Sequence, residues 1–394
     1  MNAWRKPPQT GAGLAHVLVL AQGVMMARAT AAQEVPGVRP SVSIAQVYDT
    51  NLLSTPSDHR ADFITRVSPG VDYRFRSTLW TFAGRYSVDA ERFTNSPEFS
   101  ALGARQHATA GFEGRPTPRV KVAADTEFYR TETPGELNTQ TGLALTRATA
   151  EQIVAHASLT RQLGPLTGGT VEYSLTDSRL ASSFRTQTHT VSIGAERHMS
   201  PRDRVSVNYA LHQFLFAIDR GPASTPTSQT LGVGLTHSIT PRASVAVAGG
   251  PRVTNGAPAA DLSASLRYQF QPGDLSLAYS RTETAVIGLS DIVRVQGLTA
   301  TAAYSRGLVQ IRIAPGVFRS MEAGHQADVY RLGLGITRSI TKNLALDVAF
   351  DGNVQGGNLY ADAALSHDTI SRHQLMVRLT AARANPGHPG YPVH

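Results

Sequence analysis

The sequence predicts an all-β fold, a transmembrane barrel of antiparallel strands in up-and-down order. First, apolar and polar residues alternate along many runs, as expected where successive strand side chains point to opposite faces. Second, short corners alternate with longer polar connections between these runs. Third, the chain opens with a secretion-type segment. We count about 18 strands between Pro40 and Ala381, or 16 if one hairpin is assigned in error.

The first segment of the chain has the features of a signal peptide. Arg5 and Lys6 precede a mostly apolar run over 13–27, and small residues suited to cleavage follow at Ala31 and Ala32. The alternative, a membrane anchor, is disfavoured because the run is short and interrupted by polar residues. The predicted organisation is a signal peptide over 1–32, an outer-membrane barrel over 33–381 and a Pro/Gly-rich tail over 382–394.

The run over 80–93 shows the strand alternation clearly. Trp80 and Tyr86 share one parity, whereas Arg85 and Asp89 share the other. Further runs with this alternation lie at 67–76, 120–128, 205–212, 262–270, 330–337, 344–351 and 374–379. One face of each strand therefore suits lipid, and only a closed sheet satisfies every backbone polar group inside a bilayer.

The corners between the runs set the order of the hairpins. Short corners, two of them Thr-Pro-Arg, lie at 77–78, 117–118, 164–165, 201–202, 241–242, 272–273, 306–307 and 341–342. Longer polar connections lie at 49–62, 93–104, 130–142, 217–229 and 320–328. In outer-membrane barrels the short turns face the periplasm and the longer loops face the outside.

A soluble β-propeller or stacked sandwich is the alternative fold. A propeller blade places about four strands in 40–45 residues, whereas two strands fill such a span here. The chain has no cysteine, which excludes disulfides and cysteine zinc sites. The net charge of +8 comes from scattered basic residues, so we expect no nucleic-acid partner. The 13 histidines show no metal-binding spacing, and we expect no cofactor or metal.

A set of charged residues shares the polar parity of the strands and is predicted to line the lumen. A basic member of this set facing lipid at the membrane midplane would cost about 2–4 kcal/mol. The set has two compatible interpretations, a charge ladder that braces the wall and a selectivity surface for a polar or anionic solute. Its members are Arg74, Arg76, Arg85, Asp89, Glu91, Lys121, Asp125, Glu127, Arg312, Arg331, Asp347 and Arg378.

The segment Pro40–Phe75 resembles the opening of outer-membrane β-barrel porin family 2. The matching residues include Tyr48, Asp49 and Asn51, followed by the Thr-Arg-Val-Ser-Pro-Gly strand over 65–70. The resemblance implies a Gram-negative outer-membrane location and a link with exopolysaccharide production or protein sorting, without implying a substrate. Asp49 and Asn51 also offer oxygen ligands for a cation. Two ligands are too few for calcium, so turn hydrogen bonds are the preferred interpretation.

These features predict a porin-like passive channel for polar solutes, linked to exopolysaccharide export. One alternative is a structural or docking component of an envelope or polysaccharide-secretion assembly. Another is an outer-membrane hydrolase, which would need a Ser–His or Asp–His pair within about 3 Å at one rim. The expected partners are outer-membrane lipid, the outer-membrane assembly machinery and components of polysaccharide export.

Overall fold

The computed structural model describes residues 37–181, 184–218, 222–357, 359–360 and 369–382. The predicted signal peptide and most of the predicted tail lie outside these residues. The strands are β1 Gly37–Asp49, β2 Asp62–Arg76, β3 Trp80–Phe93, β4 Ala101–Thr117, β5 Val120–Thr131, β6 Ala150–Gln162, β7 Thr167–Leu180, β8 Phe184–His198, β9 Asp203–Ile218, β10 Thr227–Thr240, β11 Ala243–Thr254, β12 Ala257–Phe270, β13 Gly273–Ala285, β14 Ile292–Arg306, β15 Val309–Glu322, β16 His325–Thr341, β17 Leu344–Gly356 and β18 Thr369–Ala382.

The 18 strands form one closed antiparallel sheet. Each strand pairs with its neighbours in sequence, and β18 returns to pair with β1 over the register from Ser41↔Ala382 to Asp49↔Gln374. Closure leaves no sheet edge with unpaired backbone groups facing lipid. The predicted fold class and the count of about 18 strands are confirmed.

The predicted short corners fall between the expected strands, within about one residue of each predicted position. Pro241 and Arg242, for example, form the turn that joins β10 to β11. Pro241 suits this position because its fixed φ favours a turn and the turn needs no backbone donor there. These corners all lie at the barrel end from which β1 starts, the periplasmic end by the convention for such barrels.

The predicted long connection over 320–328 is wrong. The structure has a tight turn at Ala323 and Gly324, with φ of 45° and 88°, and both flanking strands continue to it. A two-residue hairpin turn with positive φ at both positions matches the twist of the strands. The polar residues beside the turn belong to strand ends that extend beyond the apolar belt. A similar turn at Asn255–Gly256 joins β11 to β12.

The outer face of the barrel is a belt of exposed apolar side chains. On each strand these side chains share one parity, as Ile44, Val67, Tyr86, Leu235 and Leu334 illustrate. Solvent exposure of such a belt is unfavourable, whereas contact with lipid is not. A large closed barrel with this belt has the architecture of Gram-negative outer-membrane proteins, so the predicted location is confirmed. Among the described residues, no helix is long and apolar enough to cross a membrane.

Candidate functional site

The charged residues predicted to line the lumen all lie on the inward face. Ladder partners share a face, and the register pairs Asp72 with Arg85 and Asp347 with Arg378. On the same strands, the exposed apolar side chains occupy the alternate positions, which point outward. That these inward charges contact a solute stays a prediction.

Several of these residues form ion pairs between neighbouring strands. The shortest contact joins Arg85 Nε to Asp72 Oδ1 at 2.6 Å, and Arg331 Nη2 lies 2.8 Å from Asp351 Oδ2. Further pairs join Lys121 to Glu113 and Arg378 to Asp347. Most of these side chains are part-exposed, and such pairs contribute only about 0–1 kcal/mol each. They orient the charges on the wall more than they stabilise the barrel.

The connection between β5 and β6, residues 132–149, folds into the lumen and crosses it. Its Leu143 is fully buried against Val293, Phe318 and Val329 of β14, β15 and β16. Because β14 is nine strands from β5 in either direction around the ring of 18, the connection reaches the opposite wall. We call residues 132–149 the crossing connection.

Hydrogen bonds also attach the crossing connection to the far wall. The backbone N–H of Ala144 donates to Gln355 Oε1 at 2.8 Å, and Asn353 Nδ2 donates to the carbonyl of Gly142 at 2.7 Å. Gly142 has a φ of 64°, which favours glycine at this position. Two further extracellular connections contribute Val286 and Leu359 to the apolar cluster around Leu143. The extracellular part of the lumen is therefore narrowed by packed loops.

Glu136 attaches the crossing connection to the wall near its start. Arg105 donates to both carboxylate oxygens of Glu136, and the Tyr129 hydroxyl donates to Oε2 at 3.3 Å. Arg105 Nε also donates to Glu91 Oε1 at 3.0 Å, which Arg66 contacts at 2.7 Å. Burial raises the pKa of the Glu136 carboxyl, but the Arg105 guanidinium and its hydrogen bonds outweigh burial and lower that pKa to about 2.

The connection lies against a lumen cavity of about 590 Å³ that is lined by more arginines than carboxylates. Four arginines and two carboxylates line it, which sum to 4 − 2 = +2, and two carboxylates just outside the lining, Glu91 and Asp89, compensate Arg66 and Arg105. These residues are Arg66, Arg105, Arg312, Arg331, Glu136 and Asp351. In the described part of the chain, Arg312 has no carboxylate within ion-pair distance. The inward faces of β10 and β11, by contrast, carry small neutral residues such as Gly234 and Ala246.

The residues of the Tyr-Asp-Thr-Asn motif close the barrel. Asp49 is fully buried and accepts hydrogen bonds from Arg372, Gln374 and the backbone of Asn51. Asn51 Nδ2 donates to the carbonyl of Ser371 at 3.0 Å, whereas Tyr48 faces outward and packs against the Phe63 ring at a tilt of 38°. Only the Asn51 donor makes a turn hydrogen bond of the predicted kind, because Arg372 and Gln374 reach the carboxylate from β18. No cluster of three or more His, Cys, Asp or Glu side chains suited to a metal occurs within the described ranges.

Sequence reasoning did not select Arg66, Arg105 or Glu136 for the site. Arg105 lies beside an irregularity in the register between β3 and β4, which obscures the alternation there. Glu136 belongs to a connection that looks like an ordinary polar loop. One available signal was the apolar Leu143-Ala144-Leu145 stretch, because a solvent-exposed loop has no reason to carry it.

Comparison with known proteins finds barrels of low similarity. No protein family model and no curated protein matches the chain. The siderophore receptor PirA from Pseudomonas aeruginosa is 9% identical, with a TM-score of 0.45, over 89% of this chain and 81% of that chain. OccAB4 from Acinetobacter baumannii is 8% identical, with a TM-score of 0.44, over 89% and 99%. OpdQ from Pseudomonas aeruginosa is 9% identical, with a TM-score of 0.43, over 88% and 97%.

An Asp–His pair of the kind required by the hydrolase alternative is present at the periplasmic rim. His237 Nδ1 lies 2.7 Å from Asp203 Oδ1. Ser200 Oγ donates to the same carboxylate and accepts the backbone N–H of Arg202 at 3.1 Å. A catalytic serine must give its proton to a base, usually histidine, but this serine contacts the carboxylate and caps a turn. The arrangement therefore does not activate a nucleophile.

Proposed function

We propose that the protein is a porin-like passive channel for polar solutes, with a preference for anions. The observation that carries this proposal is the lumen cavity beside the crossing connection, where Arg312 has no carboxylate within ion-pair distance among the described residues. Low-dielectric walls focus the field of such charges and raise the local concentration of oppositely charged solutes. Barrels of 16–18 strands have room for an aqueous lumen.

The side chains in the cavity have distinct parts in this function. Arg312 and Arg331 present their guanidinium groups to the cavity, where they can replace part of the hydration shell of a passing anion. Arg66 and Arg105 are held by Glu91 and Glu136, so they fix the position of the crossing connection. Because the connection fills much of the extracellular half, we propose that it is the constriction that limits conductance.

Planar-bilayer recording of the purified full-length barrel tests the proposal. We expect low unitary conductance and a reversal potential in a salt gradient that indicates anion preference. A variant in which residues 135–146 are replaced by a short Gly/Ser linker should show higher conductance. Absence of conductance in both proteins, each shown to be folded by circular dichroism, would contradict the channel proposal.

The proposed link to exopolysaccharide export depends on the resemblance of Pro40–Phe75 alone. In a host that makes such a polymer, deletion of the gene should reduce small-solute uptake if the channel proposal is correct. Loss of polymer export with unchanged small-solute permeability would instead favour the docking component. The proposed partners are outer-membrane lipid, which the apolar belt contacts, and the machinery that inserts such barrels.

A further inference from the structure

The barrel wall has a notch between β12 and β13 at the extracellular end. The ladder between these strands ends at Leu262↔Arg281, although β12 begins at Ala257 and β13 continues to Ala285. The neighbouring ladders on both sides continue to the strand ends. A cavity of about 390 Å³ lies at this break. We call this break and its cavity the wall notch.

Two arginines of the wall notch, Arg281 and Arg294, face outward, toward lipid. Arg281 pairs with Leu262, an outward side chain that is 44% exposed, and Arg294 is itself 66% exposed. Arg281 lies opposite Gln296, and the next outward pair toward the membrane centre is Tyr279 with Leu298, in the belt; Arg294 lies one pleat farther out than Arg281, opposite Glu283. The two arginines therefore lie at the upper boundary of the apolar belt, the level of lipid headgroups. Long cationic side chains favour this level.

The wall notch contains more arginines than carboxylates, so part of its positive charge has no negative partner. Arg252 is 4% exposed at the back of the notch and contacts both Asp261 and Glu283, the latter at 3.1 Å. Arg294 Nε lies 3.6 Å from the same Glu283, which it must share with Arg252. Arg281 has no ion-pair partner within the ranges that the structure describes. Three arginines against two carboxylates give 3 − 2 = +1.

We infer that the wall notch binds the phosphate of an outer-leaflet lipid. Arginine forms bidentate, charge-assisted hydrogen bonds with phosphate, and two exposed guanidinium groups beside a cavity can share one phosphate. Pro258, Ala260 and Met321 line the same cavity and offer apolar contacts to the lipid. This inference is independent of the proposed channel because Arg281 and Arg294, the two arginines that would bind the phosphate, face lipid and not the lumen.

A second outward polar patch, on β5–β8, provides a comparison within the same barrel. Its arginines have carboxylate partners on the ladder, as in the pairs Arg130–Glu151 and Arg185–Asp177. Arg130 pairs directly across from Glu151, near the extracellular strand ends. If position near the extracellular rim were enough for an arginine to bind lipid phosphate, Arg130 would bind it as well as Arg281 does. It is therefore a matched control for the wall notch.

Native mass spectrometry of the detergent-purified, full-length barrel tests the inference. The probes are diphosphorylated lipid A, the same lipid with both phosphates removed, and inorganic phosphate. We expect retention of the phosphorylated lipid only, and a loss of about tenfold or more in the double variant Arg281→Gln with Arg294→Gln. The Arg130→Gln variant should retain lipid as the wild type does. Circular dichroism verifies that each variant is folded.

Three results would overturn the inference. Equal retention of the dephosphorylated lipid would show that the phosphate is not recognised. An equal loss in Arg130→Gln would show general attraction to rim charges and no specific notch site. Displacement of the lipid by an equimolar amount of inorganic phosphate would show a site for free phosphate.

Discussion

Arg372 of the last strand donates hydrogen bonds to Asp49 of the first strand, with Nε 3.0 Å from Oδ2, where the barrel closes. The Asp49 side chain is fully buried, and that of Arg372 is 12% exposed. Asp49 lies opposite Gln374 in the register, so its carboxylate reaches diagonally along β18 to Arg372. The buried pair thus fixes the register of the closing strands in addition to joining them.

Replacement of Asp49 by Asn should destabilise the barrel strongly. Removing one partner of a buried ion pair leaves an uncompensated charge and costs about 3–5 kcal/mol. We expect a lower midpoint of urea unfolding, followed by tryptophan fluorescence in lipid vesicles. Asp351→Asn is the matched control because its pair with Arg331 is part-exposed, and it should cost about 0–1 kcal/mol. Equal midpoints for the two variants would contradict a closing role for Asp49.

The fold was predictable because its determinants are local. Alternation along each strand follows from the contrast between lipid outside and charge inside, and hairpins connect neighbouring strands. The error at 320–328 has a physical cause. Gln326 and Asp328 are polar on an outward strand end above the apolar belt, where a polar strand and a polar loop look alike in sequence.

The centre of the candidate site was much less predictable. That Arg312 and Arg331 point into the lumen can be predicted from the alternation of residues along their own strands. The contact between Arg105 and Glu136 depends instead on the crossing connection folding inward, which is decided by the packing of Leu143 on β14–β16. Those strands are distant in sequence, so the apolar stretch 143–145 indicates that the connection packs against something but does not identify the strands that it contacts.

Replacement of Arg312 by Gln should reduce the anion preference of the channel. The change lowers the charge lining the cavity from +2 to +1 and removes a cation that has no ion-pair partner among the described residues. The reversal potential in a salt gradient should shift toward that of a nonselective pore. The matched control, Arg378→Gln, removes an inward arginine that is paired with Asp347 and lies outside the cavity lining. An equal shift in both variants would contradict a specific role for the cavity.

Acidification should release the crossing connection from the wall only at low pH. The pKa of Glu136 is lowered from the usual 4.5 to about 2, so its ionised form stabilises the folded position at neutral pH. That stabilisation is fully present above about pH 4.5 and is lost as the pH falls through about 2. We therefore expect stable conductance from pH 7 to 5 and increased, noisier conductance as the pH falls toward 3.

The Glu136→Gln variant tests the origin of this pH response. Loss of the charge-assisted hydrogen bonds should weaken the attachment by about 1.5–3 kcal/mol and give noisy conductance already at pH 7. Glu132→Gln is the control, since Glu132 pairs with Arg147 in the same connection but does not line the cavity. A wild-type response that persists unchanged in Glu136→Gln would assign the titration to another group.

A reducible crosslink between the crossing connection and the far wall should hold the channel in its narrow state. The chain has no cysteine, so a pair introduced by Ala144→Cys and Gln355→Cys has no competing thiol. The backbone N–H of Ala144 contacts the end of the Gln355 side chain, so the two backbones are about one glutamine side chain apart, which is too far for a direct disulfide. A short bis-methanethiosulfonate linker should join the two thiols, lower conductance and suppress its fluctuations, and reduction should restore both, whereas each single variant should show neither change. If the crosslinked barrel forms quantitatively and conducts as the reduced one does, the connection is not the element that limits flow. The solute path would then lie beside the connection, and the anion preference would be set by Arg312 and Arg331 alone.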